Sequence, residues 1–408
     1  MKIPFSLPVI NQGVIAEMID CLINTGWLTT GPKTKALEKE FELLTKAEAV
    51  LCVNSWTSGA MLMLRWFGVK AGDEVIIPAY TYSATALCVM NMGAIPVMVD
   101  VNDDFNINIA NIKKAVTPKT KVIIPVDIGG WPCDYDAIMA LVNEKEIISL
   151  FKPEAEVQDR LGRILVISDA AHSVGAKYKG SITGTATDIT VFSLHSVKNI
   201  TTGEGGAICI NLPKPFDNIK ILQYLRYLSL NGQTKSAFEK SKVGGWRYDI
   251  VDQGLKVNMP DICAAVGLAQ IKVYKNKLLP ERKDIFKYYN DYFSEYKWAK
   301  LPPSINSISE SSYHLYMLRI NDINEDQRDQ MIEYISSKEV AVNVHYIPMS
   351  MLTLFKNKGY KIEDYPNTYS LYANEISLPI YNNLSKIQLE KITNTIREAY
   401  NSLTSTHE

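Results

Sequence analysis

Between residues 50 and 210, short apolar runs rich in Ile and Val alternate with amphipathic stretches. The runs at 50–53, 74–78, 95–99, 121–126, 164–168, 188–193 and 206–210 predict strands. The stretches at 58–67, 83–92, 107–116 and 134–142 predict helices. Near-continuous branched residues within a strand imply burial on both faces. The alternation predicts an α/β fold, a sheet with helices on both sides. Ahead of it, Pro4 and Pro8 keep residues 1–12 extended. An amphipathic helix over 13–24 ends at Gly26, a turn-rich loop follows at 26–32, and a helix at 33–48 aligns Leu37, Phe41 and Leu44 on one face.

After residue 210 the pattern changes. A helix is predicted at 214–230, then a polar, glycine-containing segment at 231–249, then an apolar helix at 262–271. A long, charged, aromatic helix at 273–297 carries Tyr274, Tyr288, Tyr289 and Tyr292, which read as packing residues. Strands at 313–320 and 340–346 flank a helix at 325–337, and a helix at 386–403 closes the chain. Residues 1–250 are expected to form a large domain, and 251–408 a linker helix and a smaller α+β domain. The last four residues, 405–408, are expected to fray. The segment 143–163 is a charged surface extension, a helix-loop interrupted by Pro153.

Composition narrows the class. With 408 residues, 47% apolar and 21% charged, the chain has the balance of an ordinary soluble protein. A net charge of -1 offers nothing to a nucleic acid. The six cysteines are widely spaced, without metal-site spacing, and read as buried free thiols in a reducing compartment. No metal site is expected. No apolar run reaches membrane-span length, and the first residues lack a signal-peptide core, so a cytoplasmic location is expected.

The candidate chemistry gathers around residues 188–210. Lys198 sits in a polar turn between two apolar strands: either a solvated loop residue, or an amine kept near pyridoxal 5'-phosphate (PLP) to form a Schiff base. Asp169 ends the apolar run 164–168, where a parallel sheet presents ligand-binding groups. It fits a protonated pyridine nitrogen, or else caps a following helix. His172 would lie near the same ring, or be a satisfied polar residue at a strand end. Ser55, Thr57 and Ser58 stand where a helix begins, which suits a phosphate or an ordinary cap. Tyr82 follows the run 74–78, as a stacking ring or as core. Trp246 and Tyr248 suit a base or a diphosphate, or anchor their loop.

An ordered series of motifs carries a resemblance. It runs GWLTTGP at 26–32, NSWTSG at 54–59, GDEVIIPAYTYSATA at 72–86, GAIPVMVDV at 93–101, AVTPKTKVIIPV at 115–126, DAAHSVGAKYKG at 169–180 and VFSLHSVKNITTGEGG at 191–206. The chain resembles the DegT/DnrJ/EryC1/StrS sugar aminotransferases, PLP-dependent enzymes of fold type I, over about residues 4–400. The form HSVKN is most similar to the branch that aminates carbon 4 of UDP-linked keto sugars.

The resemblance implies a seven-stranded, mostly parallel sheet with one antiparallel strand, and a homodimer whose sites draw on both chains. Lys198 is then the cofactor lysine and proton carrier, Asp169 the partner of the ring nitrogen, and His172 the residue beside the ring. Thr57, Ser58 and Ser193 map to phosphate-binding positions, and Tyr82 to the stacking aromatic. Lys256 stands where relatives carry the asparagine that reaches the other subunit's cofactor phosphate, and Asn258 lies two residues on. Trp27 and Thr29 in the 26–32 loop, His195, His314, His345 and Tyr346 fall at substrate-facing positions. Asp127 replaces a histidine usual in relatives, which suggests a more acidic pocket edge. A dehydratase of this family has histidine in place of the lysine, and Lys198 argues against it. No GxGxxG follows the first strand, so a dinucleotide fold is not indicated.

The implied activity moves an amino group from L-glutamate to a nucleotide-linked 4-keto-6-deoxy sugar, for surface polysaccharide or glycan synthesis. Amination at carbon 3 of a dTDP- or GDP-linked sugar is the alternative chemistry. A silent regulatory or scaffold member of the fold is the alternative class.

Overall fold

A computed structural model describes residues 1–241 and 243–404; the segment 405–408, expected to fray, lies outside them. Seven strands form the main sheet: β1 (Ala49–Val53), β2 (Glu74–Pro78), β3 (Ile95–Val99), β4 (Thr120–Ile123), β5 (Leu165–Asp169), β6 (Ile189–Ser193) and β7 (Gly206–Ile210). Their order is β1-β7-β6-β5-β4-β2-β3. β7 runs antiparallel to both its neighbours and the other pairings are parallel. Every residue of β1, β5, β6 and β7 is buried, as their unbroken apolar runs require.

β4 stops at Ile123, earlier than its apolar run. Beyond it Ile124 N still donates to Ile76 O of β2 at 2.9 Å, and the chain then meets β5 through an isolated bridge between Val126 and Asp169. The carboxyl ends of β5 and β6 therefore open together beside a loosened edge of β4. That is where ligands bind in open α/β sheets.

A second sheet joins Ala299–Lys300, β8 (Tyr316–Ile320) and β9 (Glu375–Leu378), all antiparallel. Phe286, Tyr289, Phe293, Ile335 and Ile392 pack its core, and Ile3 from the start of the chain joins them. Ile3 donates to Glu339 O at 2.8 Å and accepts from Ala341 N at 2.9 Å. This strap carries Phe5 and Ser6 toward the main sheet.

Two segments differ from the pattern-based expectation, and the extension 143–163 follows it. Residues 340–346 alternate like a strand but make only isolated bridges, Ile3 with Val340 and Asn343 with Ser377. The strand that completes this sheet is the short β9, whose burial is broken by no polar face. The apolar helix expected at 262–271 is Asp261–Val273, and the long helix expected over 273–297 is instead a wide turn at Tyr274–Leu278 followed by the shorter helix Leu279–Phe293. The extension 143–163 forms two short helices, Lys145–Leu150 and Glu156–Leu161, with Pro153 between them. It is clamped to the body: the buried Gln158 donates from Nε2 to Phe67 O at 2.9 Å.

Five of the six cysteines are buried, and all six are unpaired. Among the described residues no helix is long and apolar enough to cross a membrane, and no group of three or more His, Cys, Asp or Glu is placed to hold a metal ion.

Candidate active site

A cavity of about 590 Å³ opens at the carboxyl ends of β5 and β6. Thr57, Tyr82, Asp169, His172, Ser193, His195, Lys198, His314, His345 and Tyr346 all line it. These residues come from both sheets and their loops.

Asp169 is the last residue of β5 and is buried. Thr85 Oγ1 donates to its Oδ2 at 2.9 Å, and Ala171 N donates to its Oδ1 at 3.2 Å. Burial pushes its pKa up to about 7, against those two donors and the Lys198 charge. Lys198 follows β6 in a turn closed by its own N–H donating to His195 O at 2.9 Å. Desolvation brings its amine down to about 8, with Asp169 pulling the other way. An amine near neutrality beside a carboxylate is a nucleophile and proton carrier at physiological pH.

The histidines are locked by their neighbours. Gly129 N donates to His172 Nδ1 at 3.2 Å, so the ring proton sits on Nε2, 3.0 Å from Tyr346 Oη. Asn199 uses its amide nitrogen on Ser312 O and Tyr274 Oη, which leaves its Oδ1 to accept from His314 Nδ1 at 2.8 Å. The His172 and His314 rings lie 4.4 Å apart. Burial drives both far below the usual histidine range, so both are neutral.

At the opposite wall, the Trp56–Trp66 helix points its N-terminus into the cavity. Ser55 caps it, accepting from Ser58 N at 3.0 Å. Ser55, Trp56 and Thr57 line the cavity, with Ser193 from β6 beside them. The Ser58 hydroxyl is turned to Ser55 Oγ, 2.8 Å away, and does not line it. Gly206 of β7 passes so close that a Cβ there would lie 2.8 Å from Ser55 C and O.

Tyr82 is 60% exposed and stands 5.7 Å from the Tyr346 ring, so it is a wall residue and not core. Asp127 is not at the pocket edge. It is fully buried, bonded by Tyr135 Oη at 2.5 Å, Ser173 Oγ at 2.6 Å and Cys133 N at 3.0 Å. Those three donors hold it inward, so the acidic edge expected from the DIGG motif is absent.

Other sequence candidates lie elsewhere in this chain. Thr29, Lys256 and Asn258 line a second cavity of about 580 Å³. There Asn258 Nδ2 donates to Thr30 Oγ1 at 2.6 Å, and Lys256 Nζ donates to Asn258 Oδ1 at 2.6 Å. Trp27 packs edge-on against Phe238, which also lines that cavity. Trp246 and Tyr248 are exposed, against Arg247 and Lys240 respectively, and line neither cavity. Conversely, Phe5, Ser6, Thr85, Glu204 and Arg282 line the main cavity without having been singled out. Phe5 stacks on His345 at 5.3 Å. Arg282 is buried and spends its guanidinium on the carbonyls of Tyr313, His314 and Ile380.

The donor set fits pyridoxal phosphate: an amine, a buried carboxylate, an exposed aromatic face, and a hydroxyl-rich helix N-terminus for a dianion. Comparison with known proteins agrees. The DegT/DnrJ/EryC1/StrS aminotransferase family matches residues 10–152 and 155–397, with its break inside the extension. The uncharacterized protein MJ1066 of Methanocaldococcus jannaschii is 35% identical over 396 residues, covering 96% of each chain. The spore coat polysaccharide biosynthesis protein SpsC of Bacillus subtilis is 32% identical, over 97% of this chain and 96% of SpsC. Among solved structures, the putative sugar aminotransferase Spr1654 from Streptococcus pneumoniae superposes with a TM-score of 0.93 at 39% identity in its PMP form, over 98% of this chain and 99% of that one. Spr1654 is also known in apo and PLP forms. The chain belongs to the DegT/DnrJ/EryC1/StrS family of PLP-dependent aminotransferases.

Proposed function

We propose that this enzyme, a PLP-dependent sugar aminotransferase, takes its amino group from L-glutamate and delivers it to carbon 4 of a nucleotide-linked 4-keto-6-deoxy sugar, supplying amino sugars for a surface polysaccharide. The carrying observation is the Lys198 amine and the Asp169 carboxylate facing one cavity from the ends of adjacent parallel strands. The names of SpsC and Spr1654, polysaccharide biosynthesis and sugar aminotransferase, support the acceptor class.

In this reading Lys198 holds the cofactor, Asp169 pairs with its ring nitrogen, and Ser55, Thr57 and Ser193 hold its phosphate. Tyr82 covers the ring, with His172 beside it. PLP, once bound, supplies the electron sink for the pair released when a proton leaves the carbon that bears nitrogen. Lys198, freed by the incoming amine, takes up that proton and returns it. Its half-lowered pKa suits both directions. Asp169 is kept from water by burial, so a cation opposite it meets an undiluted charge. Neutral His172, His314 and His345 add no competing positive charge to the cavity. His195 and His345 face the sugar. The protein works as a cytoplasmic homodimer, in which Lys256 and Asn258 serve the partner's site with Trp27, Thr29, Trp246 and Tyr248 at its rim.

The test is an absorbance spectrum of the reconstituted protein, before and after glutamate, beside Lys198→Ala. A visible band that needs Lys198, vanishes with glutamate and returns with a UDP-linked 4-keto-6-deoxy sugar is expected. A protein without a Lys198-dependent band overturns the reading. A band that glutamate leaves unchanged overturns the donor.

A further inference from the structure

His345 is the one cavity histidine whose ring is wired to a buried acid. Its Nδ1 lies 2.9 Å from Ser377 Oγ, and Ser377 Oγ lies 2.5 Å from Glu375 Oε1. The other oxygen, Oε2, accepts from His345 N at 3.0 Å, so Oε1 is the oxygen free to exchange a proton with Ser377. Glu375 and Ser377 are on β9 and have no exposed surface, whereas His345 lines the cavity. Nothing in the mechanism above uses this acid.

We propose that His345, Ser377 and Glu375 form a proton relay that serves the keto-sugar half of the reaction, with His345 as a catalytic acid and base and the other two as positioning residues behind it. The proposal rests on the function argued above. The relay has two hydrogen-bonded states. With Glu375 ionised, Ser377 donates to Oε1, His345 Nδ1–H donates to Ser377, and Nε2 presents a lone pair to the cavity. With Glu375 protonated, every bond reverses: Oε1–H donates to Ser377, Ser377 donates to Nδ1, and Nε2–H becomes a donor. One proton entering at Nε2 is thus stored on Glu375, and returns by the same path.

Amination of a ketone needs this traffic. The C=O bond breaks, a C–N bond forms, and the oxygen leaves as water with the two protons that the nitrogen gives up. The relay lends one proton to the departing oxygen and recovers one from the nitrogen, so it ends unchanged. Lys198 then remains available for the proton on carbon.

The surroundings favour a storable proton. Burial pushes Glu375 up to about 8, against Ser377, His345 N and the charge of Arg328. Arg319 stands opposite it in register on β8, and Tyr80 and Tyr346 also feel its charge. Burial and Lys198 hold His345 down to about 3, so it passes a proton on and does not keep it.

The test uses holoenzyme labelled with ¹⁵N in its five histidines, with His345 assigned by His345→Gln. The expected result is a His345 signal that changes from the Nε2–H to the Nδ1–H tautomer as pH rises through about 8. In Ser377→Ala and in Glu375→Gln this change is lost. Single-turnover amination of the keto sugar falls by about a hundredfold in Ser377→Ala. The glutamate-driven loss of its visible band, which precedes release of the keto acid, stays within about twofold, which a merely structural lesion would not spare. A His345 tautomer fixed across this range, or one that still switches in Ser377→Ala, overturns the relay. So does a keto-sugar half-reaction that Ser377→Ala leaves intact. A wild-type protein that aminates no keto sugar removes the proposed function and with it the relay's task, while the tautomer spectrum still decides whether the wire exists.

Discussion

Tyr346 Oη lies 3.0 Å from His172 Nε2, and the amide of Gly129, donating to Nδ1, makes the histidine the donor. The tyrosine proton is therefore left over, free to be donated to another group. Burial keeps the phenol protonated, well above its ordinary range. Replacing Tyr346 by Phe strands a buried N–H. Urea unfolding of the cofactor-free variant should show a loss of about 1–3 kcal/mol. A loss well under 1 kcal/mol would mean that His172 finds another acceptor.

Lys198 captures its cofactor only as the neutral amine. The rate at which the visible band grows on mixing cofactor-free protein with PLP should rise with pH and level off above about 8. Asp169 holds that value up by its charge, so Asp169→Asn should move the midpoint to lower pH. A midpoint near the ordinary lysine value would contradict a desolvated amine.

Asp169 has a pKa raised from 3.8 to about 7 in the cofactor-free protein. The folded state then binds its proton more tightly than the unfolded one. Its stability contribution is complete below about pH 4 and is lost as pH rises through about 7. The difference in unfolding free energy between wild type and Asp169→Asn should shift against the wild type by a few kcal/mol over that window. Parallel pH dependences for the two proteins would show that Asp169 is not desolvated as described.

Gly206→Ala puts a methyl group 2.8 Å from the backbone of Ser55. Backbone cannot step aside as a flexible side chain can, so the helix start must move off β7. A stability loss of about 1–3 kcal/mol is expected, together with weaker PLP binding by fluorescence titration. Unchanged PLP affinity would separate the helix start from the phosphate site.

Much of this was legible in the chain because the strands carry their own signal. β2, β3 and β7 coincide with their apolar runs, and Lys198 and Asp169 stand out as polar residues at the ends of such runs. What escaped depends on contacts that periodicity does not encode. Thr85 reads as a helix residue and becomes a donor to Asp169 only because the start of its helix lies beside the end of β5. Arg282 and Phe5 arrive from segments far apart in sequence. Asp127 looked like a pocket residue until its donors Tyr135, Ser173 and Cys133 were in place. The alternation at 340–346 misled because only Val340 is fully buried there, while Glu375, a residue unusual inside a strand, is accommodated by the His345 amide and Ser377.

The strap at the start of the chain has a consequence for how the enzyme is made. Ile3 pairs with residues 339–341, and Phe5 rests on His345. On the ribosome the first of these segments emerges more than 330 residues ahead of its partners. At ordinary elongation rates it waits roughly 20 to 70 s for them. Until then the cavity lacks a wall, and the relay acid on β9 has not been synthesised. A nascent chain can hold Lys198 and Asp169 in a finished sheet and still be unable to close around a sugar until residues 339–377 have been made.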